Sequence, residues 1–123
     1  MKGELRVPDY LGHIRDAIDR IFEYIDGIDE TAFLENRLVQ DAVIRNFEVI
    51  GEASRNIERA DPHFVSQHSE IEFGSARAMR NALTHGYHKI NFERVWKTIE
   101  DDLPNLYEHI VDALRKFQPG TSQ

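Results

Sequence analysis

Apolar residues recur at alternating intervals of four and three along two long stretches of the chain. Val7, Leu11, Ile14, Ile18, Ile21, Ile25 and Ile28 form the first. Such spacing, with a period of about 3.5, keeps one face of an α-helix apolar over several turns. Tyr10, Ala17 and Tyr24 widen that face. With Asp9 as N-cap and Gly27 as stop signal, the pattern predicts a helix over roughly 9–27. Phe92, Trp96, Ile99, Leu103, Leu106, Ile110, Ala113 and Phe117 form the second stretch, opened by Asn91 as cap. Pro104 falls inside it, where a missing N–H and a ring clash predict a bend in the helix rather than a loss of the buried face.

Between these stripes the pattern is less regular but still helical. Thr31 is a candidate cap, Leu34 and Leu38 begin an apolar face, and Val43, Phe47, Ile50 and Ile57 continue it. Gly51 lies inside this run, where glycine costs about 1 kcal/mol against alanine and often marks a close helix crossing. Asp61-Pro62 ends the run, and Pro62 at a first helical position predicts a short helix capped by Asp61. Ser75 is the candidate cap of a further helix, with Met79 and Leu83 facing the core and Gly86 at its end. The tail from Pro119 to Gln123 reads as frayed. No run alternates apolar and polar residues as a half-buried strand does. The expected fold is therefore all-α: a single domain over 1–123, built as an antiparallel bundle of four long helices plus one short one. The stripes at 7–28 and 92–117 are long and wide for so small a bundle, which suggests burial of some of that surface in a dimer.

Composition narrows the function classes. The chain has no cysteine, so it has no disulfide framework, Cys-based metal site or thiol nucleophile. No apolar run approaches the ~18 residues of a membrane span. The first residues lack an apolar signal region, so export is not expected and the protein reads as cytoplasmic. Net charge is −7, which argues against general binding to a polyanion. Its distribution changes that picture. Residues 75–98 hold Arg77, Arg80, Lys89, Arg94 and Lys97 against Glu93, a local charge of +4, which leaves −11 for the rest. A positive site on an acidic body suits a short phosphate contact better than a long groove. His63 and His68 match no metal-ligand spacing and read as surface or boundary histidines.

The positive stretch contains Arg80-Asn81-Ala82-Leu83-Thr84-His85-Gly86-Tyr87. At 100° per residue, Arg80 and Tyr87 fall within about 20° of each other on a regular helix, whereas His85 lies about 140° from Arg80. One straight helix does not aim Arg80 and His85 at one atom. A distortion at Gly86, or a second copy of the helix across a two-fold axis, would bring them together. Histidine exchanges a proton near neutral pH, and arginine grips phosphate with two donors. Read on residue type alone, His85 can equally interact with helix-end carbonyls, Arg80 can pair with Glu52, and Tyr87 can be a core-edge aromatic.

The octet resembles the R-x4-H-x-Y signature of the HEPN superfamily in its minimal, HepT-like branch. Asn81 fits the family's preference for a small polar residue after the arginine. Ile50-Gly51-Glu52-Ala53, Val95-Trp96 and Leu103-Pro104 also match that branch, so the resemblance covers most of the chain. One departure is Ile71-Glu72-Phe73-Gly74, where relatives often carry a Pro-Trp-like pair. The resemblance implies a metal-independent, RNA-cleaving toxin of a type VII-like toxin–antitoxin pair, acting as a homodimer with two copies of the motif in one cleft. It implies His85 and Arg80 as the catalytic residues, with Asn81 orienting the histidine or holding a phosphate oxygen. Thr84, His88 and Lys89 are supporting phosphate contacts. It further implies a minimal nucleotidyltransferase partner that adenylylates Tyr87. No cofactor is called for. A different class of function remains open: a catalytically silent helical dimer that binds a nucleotidyltransferase. So does a structural bundle without a ligand.

Overall fold

The computed structural model describes residues 6–73 and 90–117. They form α1 (Val7–Tyr24), α2 (Glu30–Leu34), α3 (Arg37–Ala60), α4 (Pro62–Gln67), α5 (Phe92–Asp101) and α6 (Leu103–Arg115). The protein is an all-α helical bundle, as the periodicity predicts. No strand occurs among the described residues.

The apolar stripe of α1 buries Val7, Leu11, Ile14, Ile18 and Ile21, and Ala17 joins them. The helix starts earlier than its polar residues suggest. Arg6, in extended conformation, is the N-cap, and Asp9 sits one turn inside, its carboxylate accepting the Arg6 backbone N–H at 2.9 Å. Pro8 in the first turn accounts for the early start, because its missing N–H falls where a helix has no acceptor to offer. The helix also stops earlier, at Tyr24. Gly27 lies in the turn beyond it with φ of 76°, a left-handed conformation that glycine adopts without steric penalty. Ile25 and Ile28 thus continue the stripe as half-buried turn residues packed on the core.

The run from Thr31 to Ile57, expected as one helix, is two. Asp29, not Thr31, caps α2, its Oδ1 accepting the Ala32 N–H at 2.9 Å. Asn36 then takes an extended conformation, and its Oδ1 accepts the Val39 N–H at 3.0 Å, which starts α3 afresh. The Gln40 amide donates to the Phe33 carbonyl at 3.0 Å and ties the two helices across the break. The new register turns Leu38 outward, to 80% exposure, and Phe33 takes the core position with none. Val43, Phe47, Ile50 and Ile57 are buried as expected, with Gly51 buried beside them. The two buried polar side chains of α3 bond within the helix, Asn46 to the Ala42 carbonyl at 2.9 Å and Ser54 to the Ile50 carbonyl at 2.8 Å.

Asp61 caps α4 as expected, accepting the Phe64 N–H at 3.0 Å, and Asn91 caps α5, accepting the Arg94 N–H at 3.0 Å. At Pro104 the helix divides rather than merely bends, since α5 ends at Asp101 and α6 begins at Leu103. Backbone bonds still cross the junction, from Asp102 N–H to the Thr98 carbonyl at 2.9 Å and from Leu106 N–H to the Asp102 carbonyl at 3.1 Å. The buried face therefore continues through Val95, Trp96, Ile99, Leu103, Ile110 and Ala113. Phe117, at its end, is 43% exposed.

α1 packs on α3 and α6, and α2 bridges α3 and α5. The two long stripes thus find most of their burial inside one chain. They supply no independent argument for a dimer, which rests on the Arg80/His85 offset and on the family resemblance.

Candidate active site

Arg80, Asn81, Thr84, His85, Tyr87, His88 and Lys89 lie outside the described residues, as does the expected Ser75 cap. The structure describes the two ends from which that stretch departs. On one side, the chain leaves α4 and runs through residues 68–73 to Phe73, which is 2% exposed. On the other, Ile90 packs on the core and Asn91 caps α5. Phe92 then meets Phe33 edge-on, with ring centroids 6.2 Å apart, and Trp96 lies against Phe33 at 5.2 Å. Both ends are therefore anchored in the core by apolar side chains. Neither aromatic contact to Phe33 is readable without the α2–α3 break.

A cavity of about 230 Å³ opens beside the first end. Phe47, Ile50, Leu103 and Leu106 give it apolar walls, and Glu70, Glu72, Asp102 and His109 line it as well. Three carboxylates repel a phosphate, so this cavity is no anion site.

His63 is exposed, as expected, but His68 is not a bare boundary histidine. Its ring stacks on Phe64 with centroids 4.2 Å apart, and its Nδ1 lies 3.0 Å from Glu70 Oε2. That hydrogen bond, followed by the backbone N–H of Glu70 itself, holds the Glu70 carboxyl below its ordinary value. The sequence carried two signals for this arrangement: an aromatic four residues before His68 and a carboxylate two after it. Elsewhere, a hydrogen bond to Asp19 followed by burial raises the Tyr107 phenol above its ordinary value. Among the described residues no group of three or more His, Asp or Glu side chains is arranged to hold a metal ion. None of their helices is long and apolar enough to cross a membrane.

A helical bundle with a basic Arg/His/Tyr stretch between two anchored ends is the class of protein at hand. Comparison with known families narrows it. The model of the ribonuclease HepT-like family matches residues 14–113, a span that includes the whole octet. The chain belongs to that family. It is 40% identical over 98 residues to a protein from Thermococcus cleftensis named probable ribonuclease HepT, covering 80% of this chain and 86% of that one. It is 30% identical over 107 residues to a protein of Caldanaerobacter subterraneus subsp. tengcongensis whose name marks it provisionally as an RNase, covering 87% and 93%. A Methanocaldococcus jannaschii protein with a similarly provisional RNase name is 30% identical over 104 residues, covering 85% and 93%. No solved structure matches the chain significantly.

Proposed function

We propose that this protein is a ribonuclease toxin that cleaves RNA without a metal ion and is silenced by adenylylation. The observation that carries the reading is the unbroken R-x4-H-x-Y octet inside a span that matches a ribonuclease family. In this reading His85 removes the proton of a ribose 2′-hydroxyl or delivers one to the departing 5′-oxygen. The 2′-oxygen bonds to phosphorus as the bond to the 5′-oxygen breaks, which leaves a 2′,3′-cyclic phosphate and a 5′-hydroxyl. Arg80 balances the charge of the pentacoordinate state, and Asn81 orients His85 or holds a phosphate oxygen. General acid–base help is worth about 10²–10⁴ in rate, and one well-placed donor about 3–4 kcal/mol. Thr84, His88 and Lys89 contact flanking phosphates. The offset of His85 from Arg80 favours a homodimer in which two octets share one cleft.

Tyr87 is the switch. Its phenolic oxygen attacks the α-phosphorus of ATP in a partner nucleotidyltransferase, pyrophosphate departs, and the phenolic proton passes to solvent. The attached phosphodiester would pair with Arg80 and fill the place of RNA phosphate.

Purified protein incubated with total RNA in EDTA should yield fragments ending in 2′,3′-cyclic phosphate. DNA lacks the 2′-hydroxyl and should remain intact. His85→Ala and Arg80→Ala should each lose at least a hundredfold in rate with helicity unchanged. Cleavage that EDTA abolishes, or equal cutting of DNA, refutes the mechanism. Mass spectrometry after incubation with a minimal nucleotidyltransferase, ATP and Mg²⁺ should place the first AMP on Tyr87. A Tyr87→Phe variant that is still modified and silenced to the same degree refutes the switch.

A further inference from the structure

Residues 68–73 join α4 to the stretch that carries the octet, and their conformation has an unusual source. His-Ser-Glu-Ile-Glu-Phe contains no glycine, proline, asparagine or aspartate. Of the residue types that commonly form turns it has Ser69 alone, the weakest of them. Here the turn is set by side-chain contacts. His68, the C-cap of α4, has φ −125° and ψ 58°, and its ring stacks on Phe64, with an interplanar angle of 27°. Its Nδ1 meets Glu70 Oε2 at 3.0 Å, which pulls the chain back over the end of α4. The His68 carbonyl accepts the Ile71 N–H at 3.0 Å, and the Ile71 carbonyl accepts the Phe73 N–H at 2.9 Å. Ile71 and Phe73 are then delivered into the core, at 4% and 2% exposure.

Phe64 is the base on which this rests. Besides His68 it meets Phe73 at 6.4 Å and Phe117 at 5.9 Å, so both ends of the turn and the end of α6 share one ring. Lys116, next to Phe117, adds its charge to the side of Glu70. Glu72, Asp102 and His109 are the other titratable groups on the cavity that Glu70 lines. The exposures of the pair are unequal, 14% for the His68 side chain and 43% for Glu70. An ion pair between two freely exposed side chains would do little. A half-buried imidazole locked by stacking on one face and by a carboxylate at its edge has one geometry. Only six residues, Gly74 to Met79, separate Phe73 from Arg80.

We propose that His68 and Glu70 act as a positioning pair, a clasp that fixes residues 68–73 on Phe64 and thereby sets where the catalytic stretch departs from the core. This rests on the ribonuclease reading above. Neither residue touches substrate. Their effect comes through placement, and a misplacement of about 1 Å costs a reacting group as much as 10²-fold. The neutral imidazole donates as well as the charged one when the proton is on Nδ1, so the clasp does not depend on His68 being charged.

The test uses the full chain and a mixed-sequence single-stranded RNA oligonucleotide. His68→Phe keeps a ring on Phe64 and removes the donor. Glu70→Ala removes the acceptor, and Glu70→Gln restores one. His68→Phe and Glu70→Ala should each lower kcat about tenfold with KM within twofold of wild type. The double variant should be no worse than either single, as for two residues acting as one unit. Glu70→Gln should recover most of kcat. Singles within twofold of wild type, losses that multiply in the double variant, or a raised KM with kcat intact would each overturn the proposal. If wild type cuts no RNA, the ribonuclease reading fails instead, and hydrogen exchange decides the clasp. The Ile71 and Phe73 amides should exchange about tenfold faster in His68→Phe, and unchanged exchange there overturns it.

Discussion

Replacing Phe33 with alanine tests the fold where it departs most from the plain hydrophobic pattern. Phe33 has no exposed surface, although it sits on a helix of only five residues. It links α2 to α5 through Trp96 at 5.2 Å and Phe92 at 6.2 Å. Truncating a buried phenylalanine costs about 3–5 kcal/mol in lost transfer energy and residual cavity. Two aromatic pairs go with it, each worth about 0.5–1.5 kcal/mol beyond area, so the upper half of that range is expected. Total stability of a domain is about 5–15 kcal/mol, so the variant folds but is weakened severely. At this chain length about 4 °C of Tm accompanies each kcal/mol, which gives a fall of roughly 15–20 °C. Phe33→Leu keeps most of the volume and should cost about 1.5 kcal/mol. Thermal unfolding followed by far-ultraviolet circular dichroism, with urea titration as a second measure, reads both variants. A fall below 5 °C for Phe33→Ala, or equal damage from leucine, would show that α2 is not locked onto α5 through this ring.

Other outcomes follow from single contacts. Asn36→Ala removes the cap that restarts α3 and should cost about 1 kcal/mol, whereas Thr31→Ala should stay within about 0.5 kcal/mol, because Asp29 holds the α2 cap. Gly27→Ala meets no neighbour within 4 Å, so its cost is backbone strain at φ 76°, about 1 kcal/mol by urea unfolding, and Gly27→Asn should recover part of it. Glu70 has a folded value below its unfolded 4.5, so its contribution is complete above pH 4.5 and is lost as pH falls through the folded value. The Tm difference between wild type and Glu70→Gln should therefore shrink as pH falls below 4.5 and vanish in stronger acid. A single-stranded RNA in the proposed two-octet cleft meets at most the five cations of residues 75–98 from each protomer, so its log K against log salt slope should be no steeper than about −7. A steeper slope would place basic contacts elsewhere on the chain.

What the sequence made legible was set by how far apart the deciding residues lie. The α1 stripe, the Asp61-Pro62 start of α4 and the Asn91 cap are decided within one helical turn, and all three stand in the structure. The α2–α3 break was hidden because Leu34 and Leu38 keep helical spacing across it. Two capping side chains, Asp29 and Asn36, and the Gln40 bond to the Phe33 carbonyl outweigh that spacing. The early start of α1 followed from Pro8, whose preference for the first turn overrode Asp9 as a cap. The division at Pro104 is not visible in the stripe, which runs unbroken through it. At the candidate site the octet is legible as a motif, whereas the core contacts of residues 68–73 and 90–92 are not. The cavity draws on α3, residues 70–72 and the α5–α6 junction, which are far apart in the chain.

The distribution of charge gives the proposed activity a consistent physical setting. With −11 outside residues 75–98, the body of the molecule repels a long polyanion. The cavity lined by Glu70, Glu72 and Asp102 extends that repulsion to the segment that precedes the stretch. On the proposed reading an RNA strand is held by few phosphates, and its productive placement depends on where those few cations stand rather than on a broad electrostatic groove. Such a site tolerates little slack. Phe73 and the Phe33–Phe92 contact fix the two ends of the stretch, each by an aromatic ring in the core. On the proposed reading, precision that a basic groove would supply through many weak contacts comes here from the anchorage of both ends. A bulky anion attached at Tyr87 would then silence the site by pairing with Arg80 and keeping RNA phosphate away from it.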